Sequence, residues 1–440
     1  MTSTAASLRV ERTYYLIAGI YTLSASLIWG INTVFLLSQG LSLMQVFVAN
    51  AVFTGSMALF EVPTGIGADT RGRRLSFLLS VSILIVGTIA YVAVGPSGGG
   101  LAGFCAASIV LGLGYTFYSG AVEAWLVDAL QASGFAEPVD RVLARGSAIA
   151  SMAMLVGSVS GGLLGGIDLA IPYLVRCGLL ALAFGIAFRA MHDAGFTVRD
   201  LRWREVPAEM ARIGRDSLAF GWREQHIRLA ILAGAMPAVF LEWGYHAWQP
   251  YFLQLLGSQA IWVLGVVAAG TSLAMAGGSW LVERLTRYCG RRTTLLLGAS
   301  IVYSVTAIGV GLTSSFALAV GLYLAGMAAT GVFQPVRQAY LHAVVARERR
   351  ATVLSLASLV SSAGSMGGQA GLGWIAATRS LGAGYVTGGL VTALAVPWVI
   401  AMRHLGGDPD RIVGRAGRYT ACESMALPAG VAAGPVREVA

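Results

Sequence analysis

FEVPTGIGADTRGRR, residues 60–74, places five ionisable side chains among fifteen positions: Glu61, Asp69, Arg71, Arg73 and Arg74. The chain on either side is apolar for about twenty residues. Charge confined between two apolar runs, with glycines among it, reads as a tight turn between two helices at a lipid surface. Gly65 and Gly67 let the first helix approach a neighbour closely. Asp69 ends that helix, Gly72 permits the turn, and Arg73 and Arg74 hold the turn at the headgroups.

Composition extends this reading to the whole chain. The 440 residues are 56% hydrophobic and only 12% charged, with a mean hydropathy of +0.72, whereas a soluble domain is about a quarter charged. Uncharged apolar runs recur along the sequence, each long enough to cross a hydrocarbon core of ~30 Å as a helix. No period-2 alternation is sustained, so a barrel is not expected, and lipid admits no other spanning structure. The fold class expected is therefore an all-α membrane protein. Twelve transmembrane helices are expected over 13–38, 43–67, 74–95, 100–128, 142–166, 169–190, 228–256, 259–282, 292–312, 315–343, 351–377 and 381–402.

Basic residues set the expected orientation. The chain has 30 arginines and no lysine, and only Arg176, Arg337 and Arg379 lie outside the termini and the even-to-odd connections. The opposite connections, such as SQGLSL, GPSGGG and LGSQA, carry no charge. Both termini are thus expected in the cytoplasm, in a multi-pass protein of the cell (inner or plasma) membrane. The net charge of +9 reads as a topology signal and not as a nucleic-acid footprint. Ser24-Ala25-Ser26 has the look of a cleavage site, but the apolar run continues past it through WGINTVFLL, so no cleaved leader is expected. Cys105, Cys177, Cys289 and Cys422 are too scattered for a disulfide framework or a metal site.

The sequence divides into residues 1–190, a first six-helix bundle; 191–227, a polar cytoplasmic connection; 228–404, a second six-helix bundle; and 405–440, a Gly-, Pro- and Arg-rich tail expected to be disordered. Within the connection, Pro207 starts a short expected helix with an apolar stripe of Val206, Met210 and Ile213. The two bundles repeat. Leu27-Ile28-Trp29-Gly30-Ile31-Asn32 reappears as Leu241-Glu242-Trp243-Gly244-Tyr245-His246, Ala124-Trp125-Leu126 as Ala339-Tyr340-Leu341, and the opening charged turn as Val282 to Arg292. Six-plus-six repeats with a midplane site between them are a secondary-transporter architecture.

Gly65-Ile66-Gly67-Ala68-Asp69-Thr70-Arg71-Gly72-Arg73-Arg74 resembles the loop between the second and third spans of the major facilitator superfamily, and the resemblance covers the whole chain. It implies two pseudo-symmetric six-helix bundles and a cytoplasmic gate loop formed by Gly65, Asp69, Gly72 and Arg73, whose Asp and Arg latch onto the opposite half in one access state. In span 5, Gly157-Ser158-Val159-Ser160-Gly161-Gly162-Leu163-Leu164-Gly165-Gly166 is similar to the glycine motif of the family's drug/proton antiporters. Gly162 stands where that motif has proline. Small residues at 157, 161, 165 and 166 also suit close helix packing on their own. Ser108 occupies the place of the antiporters' span-4 arginine. EVPTG with GAVEAW resembles a bacterial drug-efflux branch, which implies an exporter.

An ionisable residue at the bilayer centre costs roughly 2.5–3.5 kcal/mol, so one found there reads as functional. Glu242 sits at mid-span, where burial favours the neutral carboxyl and so suits proton carriage, and His246 follows one turn later on the same face. Glu123 and Arg337 occupy nearly equivalent repeat positions and either pair across the pseudo-twofold axis or face the cavity separately. Trp29, Trp125, Trp243 and Tyr340 are the expected cavity aromatics, suited to a flat amphiphilic or cationic ligand. Together these features predict a monomeric proton-coupled exporter of small amphiphilic or drug-like compounds, with substrate, protons and lipid as partners. The alternative is an importer or uniporter of a small zwitterion, read by Glu242 and Arg337. No nucleotide-binding loop, catalytic cluster or metal set is present in the sequence, so neither an enzyme nor a cofactor is expected.

Overall fold

The computed structural model describes residues 5–118, 120–196, 222–345 and 350–412. The expected short helix around Val206 lies outside them, as does the tail beyond residue 412.

Twelve helical segments, three of them broken, form at the expected positions among the described residues, with bounds close to those expected. In the first half they are Ala5–Trp29 with Asn32–Ser38, Leu43–Arg71, Arg73–Val94, Gly100–Tyr118 with Ala121–Ala132, Val139–Gly165 and Ile171–Ala190. In the second they are Gln225–Leu256, Ile261–Tyr288, Arg292–Leu312, Phe316–Val344, Arg350–Thr378 and Leu381–Ala393 with Ala395–Leu405. Ten are long and apolar enough to cross a membrane, and eleven when span 1, bent by 48° at Gly30-Ile31, is taken as one. Span 11, Arg350–Thr378, is not among them, because Ser, Gly and Ala replace its large apolar side chains. Small side chains there let it pack closely on spans 2 and 7.

Local chemistry sets the helix ends. Ser42 and Gln45 form a reciprocal capping box that starts span 2, and Ser380 caps span 12. Four prolines, Pro63, Pro237, Pro250 and Pro335, sit inside spans, and one shows how the bundle absorbs the lost hydrogen bond. Pro335 cannot donate to the Gly331 carbonyl, so Ser279 of span 8 donates to it instead at 3.0 Å.

Pairing inside the bundles repeats. Span 1 packs on 5 and 6, span 4 on 2 and 3, and span 3 on 6; spans 7, 10 and 9 repeat each of these six positions later. The halves then meet along three seams, span 2 with 11, 5 with 8, and the end of 1 with 7.

Each bundle closes its termini-side corner with an aspartate. Asp193, just past span 6, accepts from the Arg74 backbone N–H at 2.8 Å and so caps span 3. Asp410, just past span 12, does the same for span 9: Oδ1 accepts from the Thr293 N–H at 2.8 Å and Oδ2 from Thr293 Oγ1 at 3.0 Å. Residues 405–412, expected in a disordered tail, are therefore folded against this corner. Arg292 donates to the Pro409 and Arg411 carbonyls, and Ile412 pairs with Gly290. Glycines and prolines in this stretch suggest disorder, but Asp410 is a buried carboxylate that satisfies a helix N-terminus.

Candidate functional site

Span 1 supplies the first element. Its break at Gly30-Ile31 strips the Trp29 carbonyl and the Thr33 N–H of helical partners. Gln249 of span 7, fully buried, fills the gap. Its Nε2 donates to the Trp29 carbonyl at 3.0 Å, and its Oε1 accepts from the Thr33 N–H at 2.9 Å. Such a break at membrane depth is tolerable only where protein supplies the missing bonds. Sequence reasoning missed Gln249, although it lies three residues past His246 on the same face of the helix.

Other contacts across the halves join the same end. Trp29 meets Tyr245 edge-on at 5.4 Å, Phe47 stacks on Trp243 at 5.6 Å, and Gln369 donates to Thr54 at 3.2 Å. Gly162 faces Gly265 so closely that a Cβ on it would lie 2.6 Å from the Gly265 Cα. All of these residues lie in the halves of their spans away from both termini. Gly162, which departs from the antiporter motif, is thus the residue on which the span 5–8 seam closes. Gly157, Gly161 and Gly165 turn instead toward span 1, against Ser26, the Leu27 carbonyl and Ile31 respectively, with Ile261 of span 8 also beside Gly165. Gly166 lies against its own helix end.

Glu242, His246 and their surroundings form the second element, at the middle of span 7. The Glu242 carboxylate has no hydrogen-bond or ion-pair partner among the described residues, and it lies within electrostatic reach of Tyr245 and Tyr303. Three buried polar atoms on or beside this stretch are also unpartnered among the described residues: Trp243 Nε1, His246 Nδ1 and the Tyr303 hydroxyl. Buried polar groups are nearly always satisfied, so several orphans on or beside one stretch of helix call for an explanation. These groups can hold a proton, or accept from and donate to a polar ligand.

The remaining expected residues separate. Glu123 is exposed, in the first turn of the helix that follows Gly120. Arg337 is buried; its Nε donates to the Ala230 carbonyl of span 7 at 3.0 Å, its guanidinium fills the notch left by Gly234, and its Nη2 has no partner among the described residues. The structure does not bring Glu123 and Arg337 together. Of the four expected cavity aromatics, only Trp29 is substantially exposed, at 39%. Trp125 is buried, donating to the His192 carbonyl at 2.8 Å, and Tyr340 is buried with its hydroxyl 2.8 Å from His226 Nδ1. Trp243 packs against Phe240 and Tyr385. These three are buried: Trp125 and Tyr340 within their own bundles, and Trp243 between its own bundle and Phe47 of the other half. At the charged corner, Arg73 pairs with Asp69 at 2.6 Å within the first half. Gly72 has φ of +104°, a conformation that side chains avoid, and Asp193 fills the space where a Cβ would stand. Gly65 stands clear of neighbours.

Two polar features of the first half were not foreseen. Asn32 donates to Asn50 at 3.1 Å and accepts from Tyr91 and Tyr173, each at 3.0 Å, which ties spans 1, 2, 3 and 6 together. Arg176, 1% exposed, donates to the Tyr115 hydroxyl at 3.1 Å. A single arginine in span 6 had been set aside as an exception to the charge map; the intramembrane cost applied to Glu242 would have flagged it too.

No protein-family profile and no curated protein sequence matches the chain. Solved structures do. The nucleoside transporter NupG superposes with a TM-score of 0.72 at 10% identity, over 91% of this chain and 99% of its own. A bacterial homologue of the human lysosomal transporter Spinster, inward-facing and occupied, gives 0.68 at 14% identity over 94% and 100%. A mutant of the peptide transporter POT in complex with sulfate gives 0.72 at 14% over 91% and 96%. At such identities the likeness is one of fold, and the fold is that of a multi-pass membrane protein of the major facilitator type.

Proposed function

We propose that this chain is a monomeric secondary active transporter of the inner or plasma membrane that exports small amphiphilic compounds in exchange for protons. The fold it shares with nucleoside and peptide transporters supports transport by alternating access. The observation that supports this reading is the Glu242 carboxylate, without a partner among the described residues and within reach of Tyr245 and Tyr303, on the span whose Gln249 bridges the break in span 1. With both termini cytoplasmic, the seams seal the outer end and the state is open toward the cytoplasm. Substrate then reaches Trp29, Tyr245 and Glu242 from inside. A neutral Glu242 loses its proton as a polar or cationic substrate takes its place, and the halves rock about the seams. Reprotonation from outside returns the carboxyl to its neutral form and displaces the substrate.

Purified protein in liposomes with an imposed pH gradient tests this. Glu242→Gln keeps the shape and fixes the neutral form. Substrate binding is expected to survive, whereas gradient-driven accumulation of a fluorescent amphiphile falls to the level of empty liposomes. Full gradient-driven transport by the variant removes Glu242 from the proton path.

A second reading, import or facilitated passage of a small zwitterion, rests on Arg337. Its buried, unpartnered Nη2 suits a carboxylate ligand, with Glu242 on the neighbouring span to meet an ammonium group. Substrate-dependent uptake into cells carrying the gene, without protection from toxic amphiphiles, selects this reading over export.

A further inference from the structure

At the sealed end, between the two halves, lies an open cavity of about 910 Å³. Leu37, Gln39 and Asp168 line it from the first half, and Leu253, Gln254 and Ile261 from the second. Val34 and Pro250 form part of its floor, and each is the chain neighbour of a residue in the bonded pair Thr33 and Gln249. The cavity therefore sits directly on the plug that closes the break in span 1, and none of the residues of the Glu242 site lines it.

We infer that this vestibule is a second ligand site, for an organic cation with an apolar body. Its volume falls in the range of small-molecule sites, roughly 300–1,000 Å³. Asp168 is the one charged residue among those that line it, in a chain whose net charge is +9. Its Oδ1 accepts from the Ala170 N–H at 2.7 Å, which fixes the carboxylate and leaves Oδ2 for a ligand. Amide groups of Gln39, Gln254 and Gln259 add acceptors around it, and leucine and isoleucine side chains supply apolar wall. Among the described residues no aromatic ring lines the space, so the carboxylate and not a π-face selects the charge.

The position has a mechanical consequence. Because both halves contribute walls, a ligand that touches both binds best while this end stays shut, and it loses half its contacts when the halves part. An occupant therefore holds the closed state and slows turnover. This goes beyond the transport reading, since it does not depend on the direction of transport or on the coupling ion.

Binding to the purified full-length protein tests it, with tetraphenylphosphonium as the cation and triphenylphosphine oxide as a neutral probe of similar bulk. Asp168→Asn is expected to weaken tetraphenylphosphonium binding about five-fold and to leave the neutral probe unchanged. Salt at about 1 M, where the Debye length is ~3 Å, should erase the difference. Unchanged cation affinity in the Asp168 variant overturns the proposal, as does equal weakening of both probes. Cation binding that is lost in Glu242→Gln but kept in Asp168→Asn also overturns it, by placing the cation in the central site. An Asp168-dependent cation site in a protein that fails every gradient-driven assay has the opposite meaning: the vestibule stands and the coupling scheme falls.

Discussion

Spans 1 and 7 carry two copies of one segment, Leu27 to Asn32 and Leu241 to His246, and the copies have parted company. In span 1 the helix breaks after Trp29, bends by 48°, and presents Trp29 at 39% exposure. In span 7 it runs unbroken, and the matching Trp243 is fully buried. The Asn32 side chain makes three hydrogen bonds with neighbouring spans, whereas the matching His246 keeps a ring nitrogen without a partner among the described residues. Ile28 of the first copy is matched by Glu242. One copy thus carries the joint, and the other carries Glu242 and His246. The two are coupled, because Gln249 of span 7 supplies the hydrogen bonds that the broken span 1 lacks.

The largest effect expected from breaking this coupling comes from Gln249→Leu. The substitution keeps the bulk but strands the Trp29 carbonyl and the Thr33 N–H beside it, at a cost of about 1–3 kcal/mol per unsatisfied buried group. The closed end should lose population by roughly ten-fold or more. Cysteines placed in the GPSGGG and LGSQA connections, labelled by a membrane-impermeant reagent, report that end; a distance measurement between the two halves reports the shift directly. An unshifted distribution would make Gln249 a local packing residue and uncouple the two spans.

How much of this was legible beforehand follows from what each signal depends on. Span positions follow from hydrophobic runs, which depend on local composition, and the structure places them within a few residues of expectation. Glu242 was legible because charge is costly in lipid wherever it sits. Gln249 was not, because a neutral amide costs less and its role depends on a break in a span far away in sequence. Three of the four expected cavity aromatics, Trp125, Trp243 and Tyr340, are buried instead, for a related reason. A tryptophan near a charge in sequence, such as Trp125 or Trp243, faces the cavity or its own bundle according to helix rotation, which packing alone decides. Asp410 went unread because its partner, the start of span 9, is more than a hundred residues away.

The two corner aspartates sharpen the comparison by asking which features the halves still share. Asp410 is 1% exposed and holds both the N–H and the hydroxyl of Thr293. Asp193 is exposed and accepts from Arg74 N–H. Asp410→Ala should therefore destabilise the protein by about 2–3 kcal/mol, and Asp193→Ala by about 1 kcal/mol, the ordinary worth of a helix cap. Thermal unfolding in detergent measures both. Equal losses would mean that burial adds nothing to the second cap and that the folded-back segment 408–412 is not held by it.

The smallest expected effect belongs to the feature without a second copy. Superimposing the corners through their caps sets Arg73 against Arg292 and Asp69 against Tyr288, which is 87% exposed. The second corner therefore has a helix cap but no acid at the position of Asp69; its ion pairs, Glu283 with Arg287 and Asp408 with Arg411, are longer and far more exposed. Asp69 and Arg73 pair at 2.6 Å with side-chain exposures of 33% and 21%, a setting in which an ion pair contributes about 1 kcal/mol or less. That is too little to hold a fold together and enough to bias two states that lie within a few kcal/mol of each other. Asp69→Asn should accordingly leave membrane insertion, melting temperature and substrate affinity nearly unchanged while slowing turnover about three-fold. Initial transport rates compared with binding at equilibrium separate the two quantities. Turnover equal to wild type would show that the first corner, like the second, is only a turn and a cap, and the charge that marks residues 60–74 would then serve topology alone.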